Sequence, residues 1–233
     1  MTRTRNRARP GEGARLRDDI LDAAEALLEE SGTEEALTMR AVAAKTGVTT
    51  PAVYLHFADK EALLEAVCLR VWSQLGAEVR ERGKTRSNPF SALAEQGRTF
   101  AQFALAHPIQ YRVLMMRPSM TPGVSEAAQA CYQFHADTVT QCVESGILQG
   151  DSERLALSLW AALHGCVSLL IAQPDFPWPD TPDAIVEDAI RMAGYGTALS
   201  SRIPHSTRIP SSDLPRRLDA AADQLMNEGP PEA

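Results

Sequence analysis

The sequence predicts an all-α protein: an N-terminal three-helix helix-turn-helix domain followed by a C-terminal helical bundle. Three observations carry that prediction. Apolar residues recur at spacings of three and four through most of the chain. Segment 38–64, TMRAVAAKTGVTTPAVYLHFADKEALL, divides this pattern into short helices around a glycine turn. Pro51 and Pro89 fall in first turns of predicted helices, where a missing amide proton does no harm.

Taken in order, an amphipathic helix covers about 15–31. Thr38 is placed to cap the next helix, since its hydroxyl can accept one of the orphan amide protons. Val42 is flanked by Ala41, Ala43 and Ala44, which let a partner helix approach closely. Gly47 stands where the chain must turn sharply, a position at which left-handed backbone costs glycine nothing. Val48 can fill the gap between the two helices, and Thr49 or Thr50 caps the next one ahead of Pro51. A fourth helix starts from Asp59 as cap and runs to about 82, with Leu63, Leu64, Val67, Val71, Leu75 and Val79 along one side. At 1.5 Å per residue it spans roughly 36 Å. Further helices are expected at about 89–106, 108–116, 124–145, 152–173 and 183–200, with polar breaks at 83–88 and 118–123. The domains read as a flexible arginine-rich arm at 1–14, a helix-turn-helix domain at 15–60, an effector-binding and dimerisation domain at 61–200 and a tail at 201–233. That tail is rich in Ser, Pro and charge and is expected to be mostly disordered, with one weak helix over 214–226.

The chemistry of segment 38–64 points to DNA. In a helix-turn-helix the second helix enters the major groove with its N-terminal residues at base edges. Here those residues are Thr49, Thr50, Pro51 and Ala52, which suit base hydrogen bonds and thymine methyl contact. Tyr54, His56 and Lys60 carry groups that suit phosphate oxygens, whose contacts set register rather than sequence. Phe57 reads as core. A net charge of −7 over 233 residues would be odd for a protein that coats nucleic acid with positive charge. Placement resolves the conflict. Arg3, Arg5, Arg7, Arg9, Arg15 and Arg17 face only Glu12 in the first seventeen residues, while Asp18, Asp19, Asp22, Glu25, Glu29 and Glu30 follow. The arm either reaches into a minor groove or is a solvated start that tunes nonspecific affinity.

Segment 38–64 resembles the DNA-binding signature of the TetR family of transcriptional regulators: threonine-led helix, glycine-valine turn, then tyrosine-x-His-Phe with Lys and Glu following. The resemblance implies that Arg40, Thr50, Pro51 and Leu55 face bases, and that Thr38, Tyr54, His56 and Lys60 face phosphates. Leu55 departs from the pattern, standing where the family often has a second aromatic residue. Downstream, LWAALHGCVSLL at 159–170 resembles the WHG-type C-terminal domain of such regulators, through Trp160, His164 and Gly165. HPIQYRVLMM upstream fits the same class. Ala161 and Gly165 would let another helix pack closely, and the resemblance implies a homodimer formed through the last helices. It also implies a repressor on a palindromic double-stranded DNA operator.

A small hydrophobic effector is expected in the C-terminal domain, at Phe100, Phe103, Tyr111, Met115, Tyr132, His135, Trp160 and His164. These are the bulky or polar-tipped residues of its central helices, and such residues at helical spacing also serve as plain core. Cys131 and His135, four apart, lack a clear third ligand, so neither a metal nor a cofactor is expected. Cys68, Cys131, Cys142 and Cys166 show no zinc-type spacing. The apolar run 155–172 is interrupted by Ser158, His164 and Ser168, and no signal-peptide pattern opens the chain, so a cytoplasmic protein without membrane contact is expected. The rival readings are an all-α enzyme and a helical protein-interaction module. The first lacks a nucleophile–base constellation, and the second leaves the ordered 38–60 pattern unexplained.

Overall fold

The computed structural model describes residues 12–84, 86, 88–116, 122–203, 207 and 209–227. Among them the chain forms helices α1 (Glu12–Ser31), α2 (Met39–Thr46), α3 (Thr50–Tyr54), α4 (Lys60–Lys84) and α5 (Pro89–Ala106). The remainder comprises α6 (Pro108–Met116), α7 (Pro122–Glu144), α8 (Ser152–Ala172), α9 (Pro182–Ser200) and α10 (Leu214–Asn227), with no strand among the described residues.

Local chemistry sets the ends of these helices. The Thr38 hydroxyl accepts from the Ala41 amide at 3.1 Å, and Asp59 Oδ1 accepts from the Ala62 amide at 2.8 Å. Gly47 turns left-handed at φ 75°, letting the Gly47 and Val48 amides bond the Ala44 and Ala43 carbonyls that would otherwise be left open. Asn88 caps α5 ahead of Pro89, and Asp151 caps α8 through two amides. Thr49 corrects the reading made for it. It occupies the N-cap of α3, but its side chain makes no cap bond; its backbone carbonyl receives the Ala52 and Val53 amides instead.

The reading head is a small core of Ile20, Leu21, Ala24 and Leu28 from α1, Met39 and Val42 from α2, and Val53 from α3. Phe57 closes it from below and is buried as predicted. That core does not end at the head. It continues along α4 through Leu63, Leu64, Val67, Val71, Trp72, Leu75 and Val79 to Ile109 and Val124. Two further clusters hold the larger domain, one among α5, α6, α8 and α9, the other among α5, α7 and α8.

One boundary moves from the sequence expectation. Helix α1 begins at Glu12, so residues 12–14 are helix rather than arm; an acidic first residue favours a helix start. The rest of the arm lies outside the described residues, as does most of the 118–123 break. In the tail, 214–227 forms α10, close to the weak helix expected over 214–226, because Leu214, Leu218, Ala221 and Ala222 recur at helical spacing despite the polar composition. One helix, α8, is also long and apolar enough by composition to cross a membrane, more than the interruptions at Ser158, His164 and Ser168 suggested. In the fold it packs between α7 and α9 and also touches α5.

Candidate nucleic-acid interface and ligand cavity

Helix α3 presents its N-terminus outward because its one fully buried residue, Val53, is turned into the head core. Tyr54 is 51% exposed and Leu55 75%, so neither fills the core. Thr38, Arg40, Thr49 and Pro51 are exposed as well, while Thr50, His56 and Lys60 are half-buried. All nine residues expected to meet DNA are therefore exposed or half-buried, spread from the N-terminus of α2 through α3 to the start of α4. Lys60 has a structural tie too: its Nζ donates to the Glu34 carbonyl at 2.9 Å, using one of three ammonium protons. Arg17 stacks on Phe57 at 5.1 Å from the ring centroid.

Carboxylates of α1 join the head to the larger domain. Arg70 on α4 donates to Glu25 at 2.6 Å and Asp22 at 2.7 Å. Burial works against the Arg70 charge, but these bonds and the two negative charges outweigh it and hold its pKa above the ordinary value. On α6, Gln110 Nε2 donates to Glu29 Oε1 at 2.8 Å, and His107 Nδ1 lies 3.1 Å from the same oxygen. Within the head, Lys45 of α2 bonds Glu30.

A cavity of about 630 Å³ opens among α4, α5, α7, α8 and α9. Phe100, Met115, Tyr132, His135, Trp160 and His164 line it, six of the eight residues expected there. Phe103 and Tyr111 do not. Phe103, three positions on from Phe100, is turned toward the α4 core, with its ring 4.7 Å from that of His107. Tyr111 is fully packed behind Phe100 and His164, its hydroxyl 2.8 Å from that of Ser168. Burial pushes the Tyr111 phenol pKa up, against the pull of that bond.

The lining holds residues that sequence spacing does not single out. Trp72 and Gln96 look like ordinary inward positions of α4 and α5. Gly97 lets α5 close on α8 and α9, since a Cβ there would meet Leu163 at 3.4 Å and Ile190 at 3.5 Å. Arg98 of α5 forms a two-bond pair with Glu187 of α9, at 2.6 and 2.9 Å, and lies 3.4 Å from Glu95, which Arg86 also bonds at 2.6 Å. The Arg98 bond holds the Glu187 carboxyl below its usual range.

Aromatic packing fixes the histidines. The His164 ring lies 4.0 Å from that of Trp160 and 4.5 Å from that of Phe100, and Nδ1 sits 2.9 Å from the Trp160 carbonyl. Burial pushes its pKa down to about 4, so the ring is neutral at pH 7. His135 Nε2 lies 3.1 Å from the Ala156 carbonyl, and burial lowers its pKa too.

The outer sides of α8 and α9 form an apolar face of Leu157, Leu169, Met192, Tyr195 and Leu199, with Met192 75% exposed. Ala161 and Gly165 lie on this face. The close packing expected at Gly165 is absent within the chain: a Cβ there would meet nothing within 4 Å.

Comparison with known proteins agrees with this layout at both ends. Residues 20–67 match the family described as bacterial regulatory proteins, tetR family, and residues 93–193 match the tetracyclin repressor-like C-terminal domain. An uncharacterized HTH-type transcriptional regulator of Mycobacterium tuberculosis is 29% identical over 154 residues, 66% of this chain and 69% of that protein. A protein of unknown function from Rhodococcus sp. RHA1 superposes with a TM-score of 0.70 at 26% identity, over 84% of this chain and all of that one. The TetR family transcriptional regulator PfmR from Thermus thermophilus shares the fold, with a TM-score of 0.60 at 19% identity, over 76% of this chain and 97% of that one.

Proposed function

The chain belongs to the TetR family and is a DNA-binding transcriptional regulator, and from that premise we propose that it is a cytoplasmic repressor, without enzymatic activity, released from a palindromic operator by a small hydrophobic effector. The observation that carries this reading is the aromatic-lined cavity. One of its walls is α4, the helix whose apolar row is continuous with the head core. The apolar face of α8 and α9 supports a homodimer in which two copies of this face pack together. Two heads about one helical turn apart would then read a two-fold symmetric site.

In this reading Thr49, Thr50, Pro51, Arg40 and Leu55 meet bases, while Thr38, Tyr54, His56 and Lys60 meet phosphates. Effector entering between α4, α5 and α7–α9 changes the packing of α4 and α6. These two helices carry the change to α1 and so alter head separation. Linkage requires the operator to weaken effector binding by the same factor. A gel-shift titration with the DNA upstream of the protein's own coding sequence tests the interface. Tyr54→Phe and Lys60→Ala should weaken binding to every sequence, whereas Arg40→Ala should change which sequences are preferred. Uniform weakening by Arg40→Ala would remove it from the base-reading set. Full operator affinity in all three variants would refute the interface.

A further inference from the structure

The cavity wall carries a specific pattern of hydrogen-bonding capacity. Six buried side-chain polar atoms among the described residues have no hydrogen-bond partner within the protein, and four belong to residues lining the cavity: Trp72 Nε1, Gln96 Oε1, Tyr132 OH and His164 Nε2. Buried polar atoms are normally satisfied, so four unpartnered ones on residues around one cavity point to a polar group, from water or ligand, that completes them.

The bonds already made decide which of these groups give and which accept. A carbonyl can only accept, so His164 Nδ1 must carry the proton it shares with the Trp160 carbonyl. Nε2 is left as a bare lone pair. The same reasoning gives His135 its proton on Nε2, bonded to the Ala156 carbonyl, and leaves Nδ1 as acceptor. Gln96 is equally determined. Thr138 donates its hydroxyl proton to the Phe134 carbonyl, so its oxygen accepts from Gln96 Nε2 at 2.7 Å, and Oε1 is the unpartnered end. Three acceptors thus stand around the cavity against two donors, the Tyr132 hydroxyl and the Trp72 indole. With its ring held between Phe100 and Trp160, His164 stays neutral and cannot switch to donating near pH 7.

The charged groups of the lining are largely paired with one another. Arg86 and Arg98 are engaged by Glu95, and Arg98 also by Glu187. Arg191 lies over the Tyr195 ring and feels the Glu187 charge. A carboxylate end would find no donor at His164 and would meet Arg86 and Arg98 already bonded to Glu95 and Glu187.

We propose that the cavity takes an uncharged, largely apolar molecule bearing a hydroxyl group, whose O–H donates to His164 Nε2 while its oxygen can accept from a donor such as Tyr132. This rests on the reading of the cavity as an effector site and names the class of effector. Dodecan-1-ol, dodecyl methyl ether and dodecanoate form a matched probe set: a neutral donor, a neutral acceptor without a donor, and an anion. Trp72 and Trp160 line the cavity, so their fluorescence reports occupancy in the full-length protein.

The alcohol should bind about tenfold more tightly than the ether, the effect of one buried acceptor gaining its donor, and more tightly than dodecanoate. In His164→Phe, which keeps an aromatic ring but loses the acceptor, the alcohol-over-ether ratio should fall to about one. Preference for dodecanoate, or equal binding of alcohol and ether to the wild type, would overturn the hydroxyl assignment and leave the effector site standing. A ratio that survives in a folded His164→Phe would overturn the role of Nε2. If none of the three probes alters the fluorescence, the effector-site reading falls and this inference falls with it. The wild-type ranking holds the test even if the variant does not fold.

Discussion

Glu29→Ala tests the joint between the reading head and α6. Gln110 is buried, its Oε1 has no partner within the protein, and its Nε2 depends on Glu29. Removing the carboxylate leaves both ends of a buried amide unsatisfied, a penalty of about 1–3 kcal/mol. The His107 contact adds little, because both partners are more than a third exposed and such pairs are worth under about 1 kcal/mol. Water entering the space left by Glu29, itself half exposed, offsets part of the loss. The expected cost is about 1–2 kcal/mol, read as a lower urea midpoint at unchanged slope. Gln110→Leu on the Glu29→Ala background removes the stranded amide, so the double variant should be no less stable than Glu29→Ala alone. Basal operator affinity should stay near wild type, since Glu29 lies outside the 38–60 surface. A Glu29→Ala midpoint indistinguishable from wild type, or a double variant in which both losses add, would refute the reasoning.

Other changes probe separate features. Gly47→Ala should cost about 1–2 kcal/mol through backbone strain alone, because φ is 75° and a Cβ there meets no neighbour. Gly47→Asn should cost less in thermal unfolding, and an equal loss would point to packing instead. His164 takes up its proton near pH 4 in the fold but near 6.5 in the unfolded chain. The unfolded state therefore binds more protons between those values, and stability falls as pH drops from 6.5 to 4, by on the order of 3 kcal/mol in full. His164→Phe should flatten that interval in urea titrations, and an unchanged slope would assign it to other groups. Met192→Glu, on the apolar face of α9, should give a monomer by light scattering and lower operator affinity, with helix content kept. A variant that remains dimeric would move the interface elsewhere.

What the sequence discloses depends on the range of the interaction. Caps and turns are local, so Thr38, Gly47, Asp59 and Pro89 fixed helix ends to within a residue or two of where they stand. Periodicity located the α4 row and the cavity's aromatic side, because both repeat along one helix. Facing partners across helices were not legible. The acids of α1 read as negative charge near DNA, yet Asp22, Glu25, Glu29 and Glu30 each hold a residue of another helix. Phe103 and Tyr111 share residue type with the true lining, and only the rotation of α5 and α6 turns them away. His164 shows the same limit within one ring. The sequence left it as core or as ligand contact, and the fold bonds Nδ1 to the Trp160 carbonyl and leaves Nε2 without a partner.

The two connections from cavity to head differ in stiffness. Helix α4 shares an unbroken apolar core with the head from Leu63 to Val79 and is clamped to α1 through Arg70. Displacing it costs packing contacts at every turn, and packed interiors transmit strain rather than absorb it. Helix α6 is nine residues long; it meets α1 through the half-exposed Glu29 carboxylate and seats Ile109 in the same core, while Met115 at its far end lines the cavity. Tyr111 between them rests on Phe100 and His164. In the proposed switch a ligand drawn to His164 therefore presses on Tyr111 and through it on α6. Releasing the Glu29 joint costs roughly 1–2 kcal/mol, within what one neutral hydrogen bond and a buried apolar chain supply, and the packing of Ile109 and Tyr111 adds to the cost of moving α6. In the proposed switch, α4 accordingly holds the heads without ligand and α6 takes part in their release.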